Sequence, residues 1–159
     1  MDRFLMHVMI DYPDDHSELE IMRLNRAEQH RAKKSDTNRL SPEIVFAARD
    51  EIAKVVIPEK MEQYIVDIIS ATRYPEKYAE DLNRWIEFGA SPRGSIAIDR
   101  CSRTHAWMEG KDTVSPDDIR AVVTDCLRHR LILSYEANAE GITADEVIQS
   151  LLKLVAVVG

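Results

Sequence analysis

Three times in this chain a serine is followed at once by a proline, at Ser41-Pro42, Ser91-Pro92 and Ser115-Pro116. A serine at the N-cap accepts a hydrogen bond from an orphan backbone N–H. Proline at the first helical position gives up an N–H that would have had no partner there. Each pair therefore predicts the start of a helix. Asp118 stands three residues after Ser115 and Glu146 three after Thr143, where a carboxylate completes a capping box. The apolar residues then fix the lengths. Met61, Tyr64, Ile65, Ile68 and Ile69 follow Pro58 at the i, i+3, i+4, i+7, i+8 spacing of a core-facing helix.

The same reasoning predicts helices from about Pro42 to Val55, from Ser91 to Glu109 with Gly110 as the stop, and from Ser115 to Leu127. A last helix opens at Thr143 and buries Val147, Ile148, Leu151 and Leu152. A first, short amphipathic helix is capped by Asp15 or Ser17 and carries Leu19, Ile21, Met22 and Leu24. The polar stretch Glu28–Arg39 reads as a frayed end and a loop, and Tyr74–Phe88 as an irregular aromatic segment. Leu131-Ile132-Leu133 is too short to assign. Ahead of the helices, Phe4–Ile10 is a β-prone run ending at Asp11-Tyr12-Pro13, and nothing else in the chain reads as its partner. The expected fold class is all-α, a helical bundle preceded by one orphan β-strand. A strand without a neighbour suggests that Met1 is a boundary cut into a longer protein.

Composition narrows the function. The 159 residues suit one compact domain, and no apolar run approaches the roughly eighteen residues of a membrane span. Asp2, Arg3 and His7 break up the N-terminus, so it does not read as a signal peptide. Two cysteines are too few for a disulfide scaffold, which favours a reducing, cytoplasmic setting. A net charge of −7 argues against a general nucleic-acid binder. Neither a membrane nor a nucleic acid is an expected partner.

Arg93 is the residue that stands out chemically. It falls in the first turn of its helix, where the dipole disfavours a cation but free N–H groups welcome an anion. An arginine beside such a helix start strengthens an anion site; alternatively it is an exposed arginine paired with a nearby acid. Gly89-Ala90-Ser91-Pro92-Arg93-Gly94-Ser95 imitates the spacing of a phosphate-binding P-loop but lacks the lysine, and no strand runs into it. No other stretch supplies a P-loop or the acidic strand that holds magnesium. Cys101 with His105, and Cys126 with His129, could together make a Cys₂His₂ metal site. Both cysteines, however, fall on apolar helix faces, where they serve as small core residues; no metal is expected. Arg128-His129-Arg130 reads as a helix C-terminal cap or a partner contact.

Several strings, in order, resemble one family. They are Asp2-Arg3-Phe4, Ile10-Asp11-Tyr12-Pro13, Ala71-Thr72-Arg73 and Phe88-Gly89-Ala90-Ser91-Pro92-Arg93. Next come Gly110-Lys111-Asp112, Val114-Ser115-Pro116-Asp117-Asp118, Leu127-Arg128-His129-Arg130-Leu131 and Glu140-Gly141-Ile142-Thr143. Together they are similar to the C-terminal lid portion of MoxR-type AAA+ ATPases, with residues 1–13 as the last strand of the ATPase core and 14–159 as the helical lid. Gly94 stands where an alanine is more usual in that family. The resemblance implies that Arg93 is the sensor-2 arginine, reaching the terminal phosphates of its own subunit's nucleotide. It implies that Arg3 is the arginine finger, acting in trans on the neighbouring subunit's site, and that Tyr12 and Pro13 lie near the adenine. The family implies ATP and Mg2+ as cofactors, a homo-hexameric ring with chaperone-like or metal-insertion activity, and a von Willebrand factor A-domain partner. This chain by itself is then expected to be mostly monomeric and without ATPase activity. A free-standing helical adaptor that binds other proteins is the alternative.

Overall fold

The computed structural model describes residues 2–29 and 40–157. The chain divides into two compact units, one of residues 1–7 with 48–159 and one of residues 8–47.

In the larger unit the helices begin where the capping residues ask them to. Pro58 holds extended backbone and leads into α3 (Glu59–Arg73). Ser91 starts α5 (Pro92–Met108), its hydroxyl accepting from the Arg93 amide at 3.2 Å. Ser115 and Asp118 form the expected capping box for α6 (Pro116–Leu127), as Thr143 and Glu146 do for α8 (Ala144–Leu154). Tyr64, Ile65, Ile68 and Ile69 of α3 are buried with Ile98 of α5, Ile119, Val123 and Leu127 of α6, and Val147, Ile148 and Leu151 of α8. Each such aliphatic side chain contributes on the order of 1.5–3 kcal/mol when fully buried. α5 packs most extensively on α6, and α3 packs against α5 and α8.

The aromatic segment after α3 is more ordered than its sequence suggests. It folds into a 3-10 turn at Pro75–Lys77, a short helix α4 (Glu80–Trp85) and a strand β1 (Ile86–Phe88). β1 pairs antiparallel with β2 (Ile132–Leu133), placing Ile86 opposite Leu133 and Phe88 opposite Ile132. The five-residue α7 (Tyr135–Ala139) follows. Gly110 ends α5 with a φ of 71°. There the Lys111 amide donates to Ala106 O at 2.8 Å and the Gly110 amide to Trp107 O at 3.0 Å, a Schellman closure that needs the left-handed residue.

The strand expected over Phe4–Ile10 is not one. Residues 2–5 form turns and 6–10 run without a ladder. The small two-stranded sheet elsewhere offers this run no edge; its carbonyls instead find donors on Arg128, His129 and Arg130.

In the smaller unit Asp14 caps α1 (Asp15–Gln29), accepting from the Ser17 amide at 2.7 Å. α2 (Pro42–Ile52) begins at the predicted proline and stops three residues short of Val55. Its start belongs to this unit, its end to the larger one. Leu19, Ile21, Met22, Leu24, Ile44, Val45 and Phe46 are all exposed. Most of the polar stretch Glu28–Arg39 lies outside the described residues.

Candidate functional site

The site is assembled on the start of α5. Thr72, fully buried, donates from its hydroxyl to Ile69 O at 2.7 Å and accepts from the Ala90 amide at 3.0 Å. Arg73 Nε donates to Ala90 O at 2.8 Å. Gly89 makes this docking possible: a Cβ there would lie 2.3 Å from Thr72 O. The strings Ala71-Thr72-Arg73 and Gly89-Ala90-Ser91 are thus two halves of one backbone junction, and the junction aims α5.

Arg93 emerges from that junction exposed, in the first turn. It is joined by Arg3. Both line one cleft of about 350 Å³, together with Ile96, Ala97, Arg100 and Arg130. Arg93, Ile96, Ala97 and Arg100 follow at i, i+3, i+4 and i+7, so a single face of α5 forms one wall. Among the described residues Arg3, Arg93 and Arg100 make no ion pair. Three unpaired guanidinium groups around an apolar floor, in a chain whose net charge is −7, suit a multiply charged anion.

The helix start itself is already occupied by a carboxylate. Ser91 Oγ donates to the two carboxylate oxygens of Asp2 at 3.1 and 3.0 Å. A negative charge there offsets the positive end of the dipole, which would otherwise disfavour Arg93.

Arg128-His129-Arg130 is neither a simple cap nor a free patch, because it grips residues 2–7. Arg128 is fixed first by Asp145, through Nε at 2.9 Å and Nη2 at 2.8 Å, and its Nη1 donates to His7 O at 2.7 Å. The His7 amide in turn donates to Asp125 O at 2.9 Å. His129 Nε2 lies 3.1 Å from Phe4 O and 2.9 Å from Arg130 Nη1. The first contact needs Nε2–H and the second a lone pair. Arg130 Nη1 already has carbonyl acceptors, so Nε2–H donating to Phe4 O is the consistent assignment. Burial, before any other cause, keeps His129 below the ordinary histidine range.

The remaining predicted groups do not converge. Cys101 and Cys126 are buried against each other, and that contact together with burial pushes the Cys126 thiol up. His105 Nδ1 instead lies 2.8 Å from Asp118 Oδ1, and His129 faces Phe4. Among the described residues no group of three or more His, Cys, Asp or Glu is placed to hold a metal. Tyr12 and Pro13 belong to the smaller unit and are exposed. Sequence reasoning missed Asp2, Arg100 and the clamping role of Arg130. The i, i+7 spacing of Arg93 and Arg100 was the one available signal.

The sequence profile of the AAA lid domain matches residues 79–151, which defines the class of the α4–α8 region. Similarity to known proteins extends further. The chain is 35% identical over 156 residues to the chaperone MoxR1 of Mycobacterium tuberculosis, covering 98% of this chain and 40% of that protein. It is 31% identical over 161 residues to protein MoxR of Methylorubrum extorquens, covering 91% and 45%. A crystal structure from Cytophaga hutchinsonii, of a protein assigned as an ATPase, superposes with a TM-score of 0.91 at 38% identity, covering 99% of this chain and 48% of that one. The chain belongs to the MoxR-type AAA+ family and carries its lid domain over residues 79–151. It spans less than half the length of each of these relatives. Among the described residues no helix is long and apolar enough to cross a membrane.

Proposed function

We propose that this chain presents two arginines, Arg3 and Arg93, to the phosphates of one ATP in a MoxR-type ring whose output is chaperone-like remodelling. The observation that carries the reading is their shared cleft. Phosphoryl transfer leaves the protein little covalent work, so positioned charge on the phosphate oxygens does most of the catalysis. Arginine forks in a partly enclosed cleft suit that task. Magnesium is a different matter: it asks for oxygen ligands, and Asp2, the one carboxylate among the described residues lining the cleft, is engaged by Ser91 and Arg130. ATP–Mg2+ would be held mainly by a P-loop and an acidic strand that these 159 residues do not contain, so this chain by itself hydrolyses no ATP. The assembled state is a homo-hexameric cytoplasmic ring, with a von Willebrand factor A-domain protein as partner.

The family resemblance gives Arg93 to its own subunit's nucleotide and Arg3 to the neighbour's. A cleft shared within one chain favours a single nucleotide for both, so we assign the pair to the same phosphates, across a subunit boundary. The test is ATP turnover in mixed rings. Arg93→Ala should lower turnover at least about tenfold, roughly 1.4 kcal/mol of transition-state stabilisation, and Arg93→Lys should recover only part of it. Mixing Arg93→Ala subunits with P-loop-defective subunits should then restore activity, as should mixing Arg3→Ala with the same partner. Recovery for Arg3 alone would mean that the two arginines serve different nucleotides.

A further inference from the structure

We infer that Arg130 and Asp2 form a clasp fixing the Arg3-bearing segment to the N-cap of α5, so that both act as positioning residues for the arginine pair. The inference rests on the reading of Arg3 and Arg93 given above.

Arg130 lines the cleft, but its terminal nitrogens are turned to backbone carbonyls instead of to an anion. Nη1 donates to Leu5 O at 3.3 Å and to Cys126 O; Nη2 donates to Asp2 O at 3.1 Å and to Phe4 O. Nε lies 3.2 Å from Asp2 Oδ1, at ion-pair distance though not aligned for a hydrogen bond. Both terminal nitrogens are therefore committed inward, and the side chain is 2% exposed. A guanidinium this buried is tolerated only when it is paired and hydrogen-bonded. The carbonyls of Asp2, Phe4 and Leu5 meet that need. Among the described residues those carbonyls have no strand partner, so the dependence is mutual.

Asp2 carries the connection onward. Its carboxylate faces Arg130 on one side and accepts from Ser91 Oγ on the other. Ser91 Oγ accepts from the Arg93 amide. Arg3 follows Asp2 directly, and Arg93 stands two residues after Ser91. One path of side chains, Arg130–Asp2–Ser91, thus ends beside both cleft arginines. Cutting it leaves each arginine in place chemically but frees their separation, and a transition state that needs both within hydrogen-bond reach suffers first.

The decisive experiment is a double-mutant cycle on ATP turnover in the assembled ring. Asp2→Asn should lower kcat by about tenfold with KM changed less than about twofold, yet cost less than about twofold when Arg3→Ala is already present. Ser91→Thr should behave as the unsubstituted protein and Ser91→Ala like Asp2→Asn. Hydrogen exchange supplies a readout that does not depend on turnover. The His7 amide, held by Asp125 O, should exchange at least about tenfold faster in both Asp2→Asn and Arg130→Lys, while α6 and α8 keep their protection. Additive losses in the cycle, or unchanged protection at His7, would overturn the clasp. If Arg3→Ala alone leaves turnover unchanged, the role given to Arg3 falls, and the exchange result alone decides whether the clasp exists.

Discussion

Asp118 and Asp2 do the same chemistry at two different helix starts. Each carboxylate accepts from the hydroxyl of an N-cap serine, Ser115 Oγ to Asp118 Oδ2 at 2.5 Å and Ser91 Oγ to Asp2 at 3.0 Å. Each also faces a cation: Lys111 Nζ lies 2.9 Å from Asp118, and Arg130 Nε 3.2 Å from Asp2. They differ in where the carboxylate comes from. Asp118 belongs to the helix it caps, is wholly buried, and closes a local network with Ser115, Lys111 and His105. Asp2 arrives from 89 residues away in sequence and is 44% exposed. A local cap stabilises its own helix. A borrowed cap ties two distant segments together, and its loss is felt in their alignment before it is felt in stability.

That contrast can be broken most directly at Asp118. Asp118→Ala strips the acceptor from the half-buried Ser115 amide and from Lys111 and His105, and should lower stability by about 3 kcal/mol in urea titrations. Asp2→Asn should cost under about 1 kcal/mol on the same assay, because the Asp2 side chain is 44% exposed and the buried Arg130 keeps its backbone carbonyl acceptors. Equal losses at the two sites would erase the distinction between a local and a borrowed cap.

Acid sharpens it further. Burial by itself would push the Asp118 carboxyl up. The bonds from the Ser115 hydroxyl, Lys111, the Ser115 amide and His105 outweigh it, and the group ends well below the usual carboxylate range. A depressed pKa contributes stability that is complete above the unfolded value, near pH 4, and is lost as pH falls toward the folded value. Unfolding measured below about pH 4 should therefore steepen by up to about 1.4 kcal/mol per pH unit in the unsubstituted protein. Asp118→Asn should lose that added slope.

The smallest effect is expected at the start of α5. A methyl on Gly94 would meet Ile69 Cδ1 at 2.9 Å and Leu127 Cδ2 at 3.2 Å. The nearest atom is the far end of a side chain that can turn aside, and alanine recovers about 1 kcal/mol of helix propensity. Gly94→Ala should accordingly change the melting free energy by less than about 1 kcal/mol in either direction. A larger loss would show that the packing under Arg93 is too tight to yield.

Much of the fold was legible because its signals are local. Ser91-Pro92, Ser115-Pro116 with Asp118, Thr143 with Glu146, and Gly110 each act within four residues of themselves, and each helix start or stop falls where those residues put it. Arg93 was legible for the same reason, as a cation at a helix start. β1 and β2 were not: two and three residues are too few for a periodic pattern, and their pairing joins positions more than forty apart. The run Phe4–Ile10 misled because apolar alternation says nothing about whether a partner edge exists. Asp2, Arg100 and Arg130 were hidden because their roles depend on the N-terminal segment lying against α5 and the end of α6.

The short ladder between β1 and β2 has a consequence for how this region tolerates change in length. β1 ends three residues before Ser91, and β2 begins two residues after Arg130. The ladder is therefore a ruler whose two free ends are the serine and the arginine that meet at Asp2. The stretch from Phe88 to Ser91 has no slack, since Gly89 is pressed on Thr72 and Ala90 is bonded at both its amide and its carbonyl. A residue inserted there would have nowhere to bulge except along α5, shifting the arginine wall against its opposite side. The turn at Gly110–Asp112, at the other end of the same helix, has open space beside its glycine. Length variation should be absorbed there, leaving the spacing at the cleft untouched.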